Sequence, residues 1–189
     1  EALHWIASKT GIAHLGNRME FIENKGQVMD MADHARPDIL YSGETNNAKI
    51  YLRKTGISYV MAKREEEEEE RGNMDIGKLK ETKNGIYNSS YSSPIPSIRL
   101  QRIDMEFVGC NENPEVSVEQ NTSGYFNYYL GHGTTGITNV KAYNKLYYKN
   151  IYPHVDVAFY GGSESGLKYN FIINPGGNPH DIKLKYTGA

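Results

Sequence analysis

The stretch AKIYLRKTGISYVM, residues 48–61, indicates the fold class more directly than any other part of the chain. Ala48, Ile50 and Leu52 occupy every second position, and the alternation resumes after Lys54-Thr55-Gly56. A β-strand sends successive side chains to opposite faces, so alternation on both sides of a short glycine-containing loop is typical of an antiparallel hairpin. The stretch therefore predicts two paired strands joined by a tight turn.

Short runs of the same period recur along the rest of the chain. Residues 98–107 and 167–173 alternate in this way, and the turn-forming sequence NPGGNP at 174–179 follows the second run. The composition agrees, because 15 Tyr suit half-buried pleated surfaces and 19 Gly suit turns. About ten such runs without a long helical pattern predict an all-β fold, either an antiparallel β-sandwich or a barrel-like sheet.

Two stretches depart from the strand pattern. Within residues 63–97, six consecutive glutamates (Glu65–Glu70) precede a segment rich in Ser, Asn, Tyr and Pro. Adjacent like charges repel and resist burial, so we expect a long irregular surface insertion there. Residues 1–18 have no clear period and are expected to form an N-terminal linker or edge segment. The predicted organisation is thus one β domain at 19–189 with an insertion at about 63–97.

Charge and composition argue against several classes of protein. The net charge is −2, with both signs spread along the chain, so no basic stripe predicts a nucleic-acid surface. No apolar run approaches the roughly 20 residues of a membrane span. The lone Cys110 cannot form an internal disulfide. The chain begins at Glu1 without a signal-peptide pattern, so we expect a processed product or a segment of a longer protein.

Seven short blocks, taken in order, carry a resemblance to a known family. They are FIENKGQ at 21–27, KTGISYV at 54–60, DMEFVG at 104–109, NYYLG at 127–131, TNV at 138–140, LYYKNIYP at 146–153, and LKYNFI at 167–172 followed by PGG at 175–177. From about residue 20 to 189 the chain resembles the uncharacterised N-terminal domain of Bacteroidetes-type surface proteins. Those proteins carry SBBP β-propeller-type repeats or gliding-motility-type C-terminal sorting domains. The resemblance implies an extracellular or cell-surface location, with other domains of the parent protein as partners.

Few groups of residues in the sequence have the spacing of a catalytic or metal-binding site. His154 and Asp156 fall on one face of a strand, which is half of a metal site, but the sequence nominates no third ligand. Asp104 and Glu106 likewise share a strand face, as paired acids of glycoside hydrolases do, although exposed acids on strands are common. The sequence therefore predicts no catalytic residue, no metal site and no cofactor.

Tyrosines concentrate in one third of the chain, between residues 125 and 152. An aromatic ring offers apolar area with a hydroxyl handle, so tyrosines that share an exposed face are able to stack on sugar rings. The simpler alternative is that half of them point into the core and the others cover the sheet. The candidate ligand-binding residues are Tyr125, Tyr128, Tyr143, Tyr147 and Tyr148.

These observations favour a non-catalytic structural or adhesive module of a secreted or cell-surface bacterial protein. Two alternatives stay open. One is a carbohydrate-binding module that uses the tyrosine cluster, with surface glycans or proteins as partners. The other is an accessory domain of a secreted hydrolase, which requires His154, Asp156 and a third polar group to converge. Neither nucleic-acid binding nor membrane insertion is expected.

Overall fold

The computed structural model describes residues 19–30, 32–45, 48–64, 98–121, 124–129, 136–162 and 166–188. Their regular structure is antiparallel β-strand apart from one short 3₁₀ helix at Pro179–Asp181. The strands are β1 (Phe21–Glu23), β2 (Ile39–Glu44), β3 (Ala48–Arg53), β4 (Gly56–Arg64), β5 (Ile98–Phe107), β6 (Glu115–Asn121), β7 (Phe126–Tyr128), β8 (Ile137–Val140), β9 (Ala142–Tyr152), β10 (Val155–Gly162), β11 (Gly166–Ile173) and β12 (Leu184–Thr187). The predicted all-β class is confirmed.

The predicted hairpin is formed by β3 and β4. Its register runs from Ala48 opposite Met61 to Arg53 opposite Gly56, so the connecting turn is Lys54-Thr55 and Gly56 begins the second strand. A Cβ atom on Gly56 would lie 2.1 Å from the backbone oxygen of Met105. Glycine is therefore required here by the close approach of β5 rather than by the turn itself.

Ten strands form one curled sheet, in the order β11-β10-β9-β1-β2-β3-β4-β5-β12, with β6 also paired to β9. Strands β7 and β8 form a separate two-stranded sheet. The architecture is thus the barrel-like sheet of the two predicted alternatives. The predicted N-terminal segment 1–18 lies outside the described residues, as does 65–97 of the predicted insertion. Strand β4 ends at Arg64, which lies opposite Ile98, the first residue of β5.

The curl is centred on β9, whose edges are shared by three strands. Tyr147 lies opposite both Ser117 of β6 and Ala158 of β10, so β6 and β10 flank β9 on opposite edges. Nearer the start of β9, Tyr143 lies opposite both Asn121 of β6 and Phe21 of β1. Strands β10 and β1 therefore follow each other along the same edge of β9.

The junction between β10 and β1 is tight. A Cβ atom on Gly161, near the end of β10, would lie 2.1 Å from the backbone oxygen of Met19. Only glycine allows the two backbones to approach this closely. From this junction the β1–β5 part of the sheet and the β9–β11 part turn toward each other.

The main core lies between these two parts of the sheet. Phe107 of β5 and Phe171 of β11 meet edge to face with ring centroids 5.8 Å apart, which joins the two parts across the core. A second cluster, on the other face of β3, contains Val28, Ile39, Tyr51 and Val60. Strand β3 is consequently buried on both faces, which apolar alternation alone did not predict.

Candidate ligand-binding surface

Tyr148, one of the predicted ligand-binding residues, lies in the core. Its side chain is 0 % exposed and meets Phe159 edge to face at a centroid distance of 5.0 Å. Burial raises the pKa of its hydroxyl, because the ionised form loses its hydration. The prediction that Tyr148 faces a ligand is therefore corrected: strand alternation directs it inward, opposite to its neighbour Tyr147.

Tyr147 faces outward but its ring is already engaged. Its hydroxyl donates a hydrogen bond to Glu119 Oε2 over 3.1 Å. The ammonium groups of Lys145 and Lys149 lie 4.7 and 4.8 Å from the ring centroid, within cation–π distance. These contacts tie Tyr147 into a polar network on the outer face of β9.

Tyr143 and Tyr128 are both half-buried. Tyr143 meets Tyr41 edge to face at a centroid distance of 6.1 Å. Partial burial raises the pKa of the Tyr128 hydroxyl, because the ionised form loses hydration. The structure therefore does not bring the five predicted tyrosines together on one face.

A different aromatic surface is formed along β7. Exposure alternates there, with Tyr125, Asn127 and Tyr129 exposed and the two residues between them, 126 and 128, partly buried. Tyr125 is 64 % exposed and Tyr129 is 77 % exposed. We call Tyr125, Asn127 and Tyr129 the tyrosine stripe. Tyr129 was not among the predicted site residues, although the alternation in YFNYY (125–129) places it on the same face as Tyr125.

Local contacts hold the tyrosine stripe in place. The ring of Tyr129 lies against Gly136, since a Cβ atom on Gly136 would fall 2.6 Å from Tyr129 Cδ1. The side-chain oxygen of Asn127 accepts a hydrogen bond from the backbone N–H of Asn139 over 3.0 Å. Asn139 itself has a positive φ of 57°, a conformation that asparagine tolerates better than most residues.

His154 and Asp156 occupy structural positions at and just after the turn between β9 and β10. Asp156 is buried and accepts hydrogen bonds from the backbone N–H of Asn150 (2.8 Å) and from Lys149 Nζ (3.1 Å). Burial opposes its ionisation, but these hydrogen bonds prevail and hold the pKa of Asp156 below its ordinary value. His154 sits at a positive φ of 58° in the tight turn between β9 and β10. No group of three His, Cys, Asp or Glu side chains in the described ranges is arranged to hold a metal ion.

Asp104, the other acid considered, is ion-paired. Its Oδ1 accepts a hydrogen bond from Arg102 Nε over 3.0 Å and lies 3.9 Å from Arg53 Nη2. Burial raises the pKa of Asp104, but its polar neighbours Ser58, Arg102 and Arg53 together lower the pKa by more, so the net shift is downward. A general acid of a glycoside hydrolase has a raised pKa instead, so Asp104 does not have that property.

The strand-forming part of the chain matches one family. Residues 21–189 match the family described as "Domain of unknown function (DUF7948)". The chain belongs to this family. The DUF7948 match begins at β1 and includes all twelve strands named above, which confirms that an uncharacterised domain covers the chain from about residue 20 onward. Comparison with curated proteins and with solved structures finds no match. No helix in the described part of the chain has the length and apolar character needed to cross a membrane.

Proposed function

We propose that this domain is a non-catalytic adhesive module of a secreted or cell-surface bacterial protein and that it binds its ligand at the tyrosine stripe. The exposure of Tyr125 and Tyr129 carries the proposal. Large aromatic side chains provide much of the contact energy at binding surfaces and are usually more buried than these two. In the parent protein, the domain would precede SBBP-type repeats or a gliding-motility-type sorting domain, as the sequence resemblance implies.

Carbohydrate is the ligand class that the tyrosine stripe suits best. Tyr125 and Tyr129 are four residues apart on an extended segment, which separates their Cα atoms by roughly 13 Å. The two rings would therefore stack on different sugar units of an oligosaccharide, and Asn127 between them would contribute amide hydrogen bonds to hydroxyl groups. A single small sugar would not reach both rings.

A glycan-array screen with the wild-type chain and a Tyr125→Ala, Tyr129→Ala double variant tests this proposal. Loss of two stacking contacts, each worth about 0.5–1.5 kcal/mol, predicts roughly 5- to 150-fold weaker binding. Tyr186→Ala is the matched control, because Tyr186 is 57 % exposed but belongs to β12.

Binding that the double variant loses and the Tyr186→Ala variant keeps would support the proposed site. Equal binding by the wild type and a folded double variant would refute it. If a folded wild type binds no glycan, carbohydrate is the wrong ligand class. Circular dichroism of every variant shows whether the β-sheet signal is preserved, so that a loss of binding is not confused with a loss of fold.

A further inference from the structure

A polar pocket of about 390 Å³ lies beside the turn between β3 and β4. Its walls are formed only by charged or hydrogen-bonding residues, namely Asp38, Arg53, Lys54, Thr55, Glu112 and Asn113. Because each of these side chains ends in a charged or hydrogen-bonding group, the pocket suits a ligand that carries polar groups. None of these residues belongs to the tyrosine stripe.

Arg53 is the unusual member of this lining. Its side chain is 14 % exposed, and its Nε and Nη2 atoms are buried without a hydrogen-bond acceptor among the described residues. A buried charge is costly unless it is paired and hydrogen-bonded. The carboxylate oxygen Asp104 Oδ1 lies 3.9 Å from Nη2, beyond hydrogen-bond distance, and already accepts from Arg102 Nε.

A neighbouring arginine, Arg36, shows which kind of group the Nε–Nη2 edge of a guanidinium binds in this protein. Arg36 Nε and Nη2 donate to the two carboxylate oxygens of Asp38, each over 2.8 Å. Such a parallel pair of charge-assisted hydrogen bonds is among the strongest recognition contacts of arginine. Arg53 Nε and Nη2 make no hydrogen bond among the described residues, although Nη2 lies within ion-pair distance of Asp104, and Asp38 uses both of its oxygens on Arg36. One further carboxylate would therefore complete the hydrogen bonding of this edge of Arg53.

We propose that this pocket binds the carboxylate of an acidic sugar unit, a hexuronate, through the Nε–Nη2 edge of Arg53. Lys54 adds a second positive charge, and Thr55, Glu112 and Asn113 offer donors and acceptors for ring hydroxyls. Because the two nitrogens are buried, binding includes a rotation of the Arg53 side chain that turns this edge toward the pocket it lines. This site does not depend on the tyrosine stripe.

An NMR titration of the ¹⁵N-labelled chain with glucuronate, glucose and acetate tests the proposal. We expect saturable binding of glucuronate, with a shift of the Arg53 Nε–H resonance, and at least tenfold weaker binding of glucose and of acetate. Arg53→Lys keeps the charge but removes the two-nitrogen edge, so glucuronate should bind it about tenfold more weakly, equivalent to about 1.4 kcal/mol. The wild-type Nε–H shift remains an independent measurement if this variant folds poorly.

Two control variants test whether glucuronate binding belongs to this pocket. Lys168→Gln removes a positive charge at an exposed position of β11 and should leave glucuronate binding unchanged. The Tyr125→Ala, Tyr129→Ala variant should also bind glucuronate normally, which keeps this test apart from that of the tyrosine stripe. The proposal is overturned if glucuronate does not bind, if glucose binds as well as glucuronate, or if Arg53→Lys binds as the wild type does. Equal binding of acetate and glucuronate would overturn the assignment to a sugar.

Discussion

Removing the hydroxyl group of Tyr148 should stabilise the protein. This hydroxyl is buried without a hydrogen-bond partner among the described residues. Burying an unpaired hydroxyl costs about 1–3 kcal/mol in protein mutational data. Tyr148→Phe keeps the ring, and its contact with Phe159, while removing that cost. We expect the free energy of unfolding to rise by about 1 kcal/mol, and the melting temperature by roughly 2–4 °C for a chain of this size.

Tyr152→Phe is the matched control. Tyr152 also lies on β9 and is buried, but its hydroxyl donates to the backbone oxygen of Lys183 over 3.0 Å and accepts from the backbone N–H of Lys183 over 3.4 Å. Loss of these two bonds, at about 0.5–1.5 kcal/mol each, should lower the free energy of unfolding by about 1–3 kcal/mol. The two substitutions are thus expected to have opposite signs.

Urea denaturation followed by circular dichroism measures both variants. The slope of the transition should match the wild type, which shows that the change lies in stability rather than in the extent of unfolding. A destabilisation by Tyr148→Phe of about 1 kcal/mol or more, the value of one hydrogen bond, would refute the reasoning. It would show that the Tyr148 hydroxyl has a partner in the core.

Three further predictions concern the sheet junction, the buried carboxylate and the cysteine. Gly161→Ala should destabilise the protein by roughly 1–3 kcal/mol, because its Cβ would overlap the Met19 backbone; a neutral effect in thermal denaturation would contradict the tight junction. Asp156→Asn should cost about 1–3 kcal/mol at pH 7. The pKa of the Asp156 carboxyl is lower in the folded state than its ordinary value of 3.8. The ionised carboxylate therefore stabilises the protein fully above pH 3.8, and this stabilisation is lost as the pH falls through the lower folded-state pKa. Urea denaturation curves of the wild type and the Asp156→Asn variant should accordingly converge in acid. Burial raises the pKa of the Cys110 thiol, so its reaction with iodoacetamide at pH 8 should be slower than that of free cysteine; an equal rate would contradict this.

Much of the fold followed from local sequence patterns, whereas the surface site did not. The alternation in residues 48–61 predicted the β3–β4 hairpin, because pairing between neighbouring strands depends on a short turn and a period of two. The same period places Tyr147 and Tyr148 on opposite faces without revealing which face is covered. That depends on the β1–β5 part of the sheet, which packs over the inner face of β9. The sequence therefore predicted the tyrosines as one cluster, whereas tertiary packing buries Tyr148 in the core and leaves Tyr147 on the outer face.

The amino-acid sequence by itself determined the all-β class, the hairpin and the extent of the domain from about residue 20, since these depend on short-range periodicity and on blocks that keep their order. Only the tertiary structure showed that β10 and β1 share one edge of β9 and that Gly56 is needed by β5. It alone showed that Arg53 has two buried nitrogens without acceptors among the described residues. Each of these features arises from segments far apart in the chain. Burial and hydrogen-bond pairing depend on which distant strands meet, and a local pattern carries no information about that meeting.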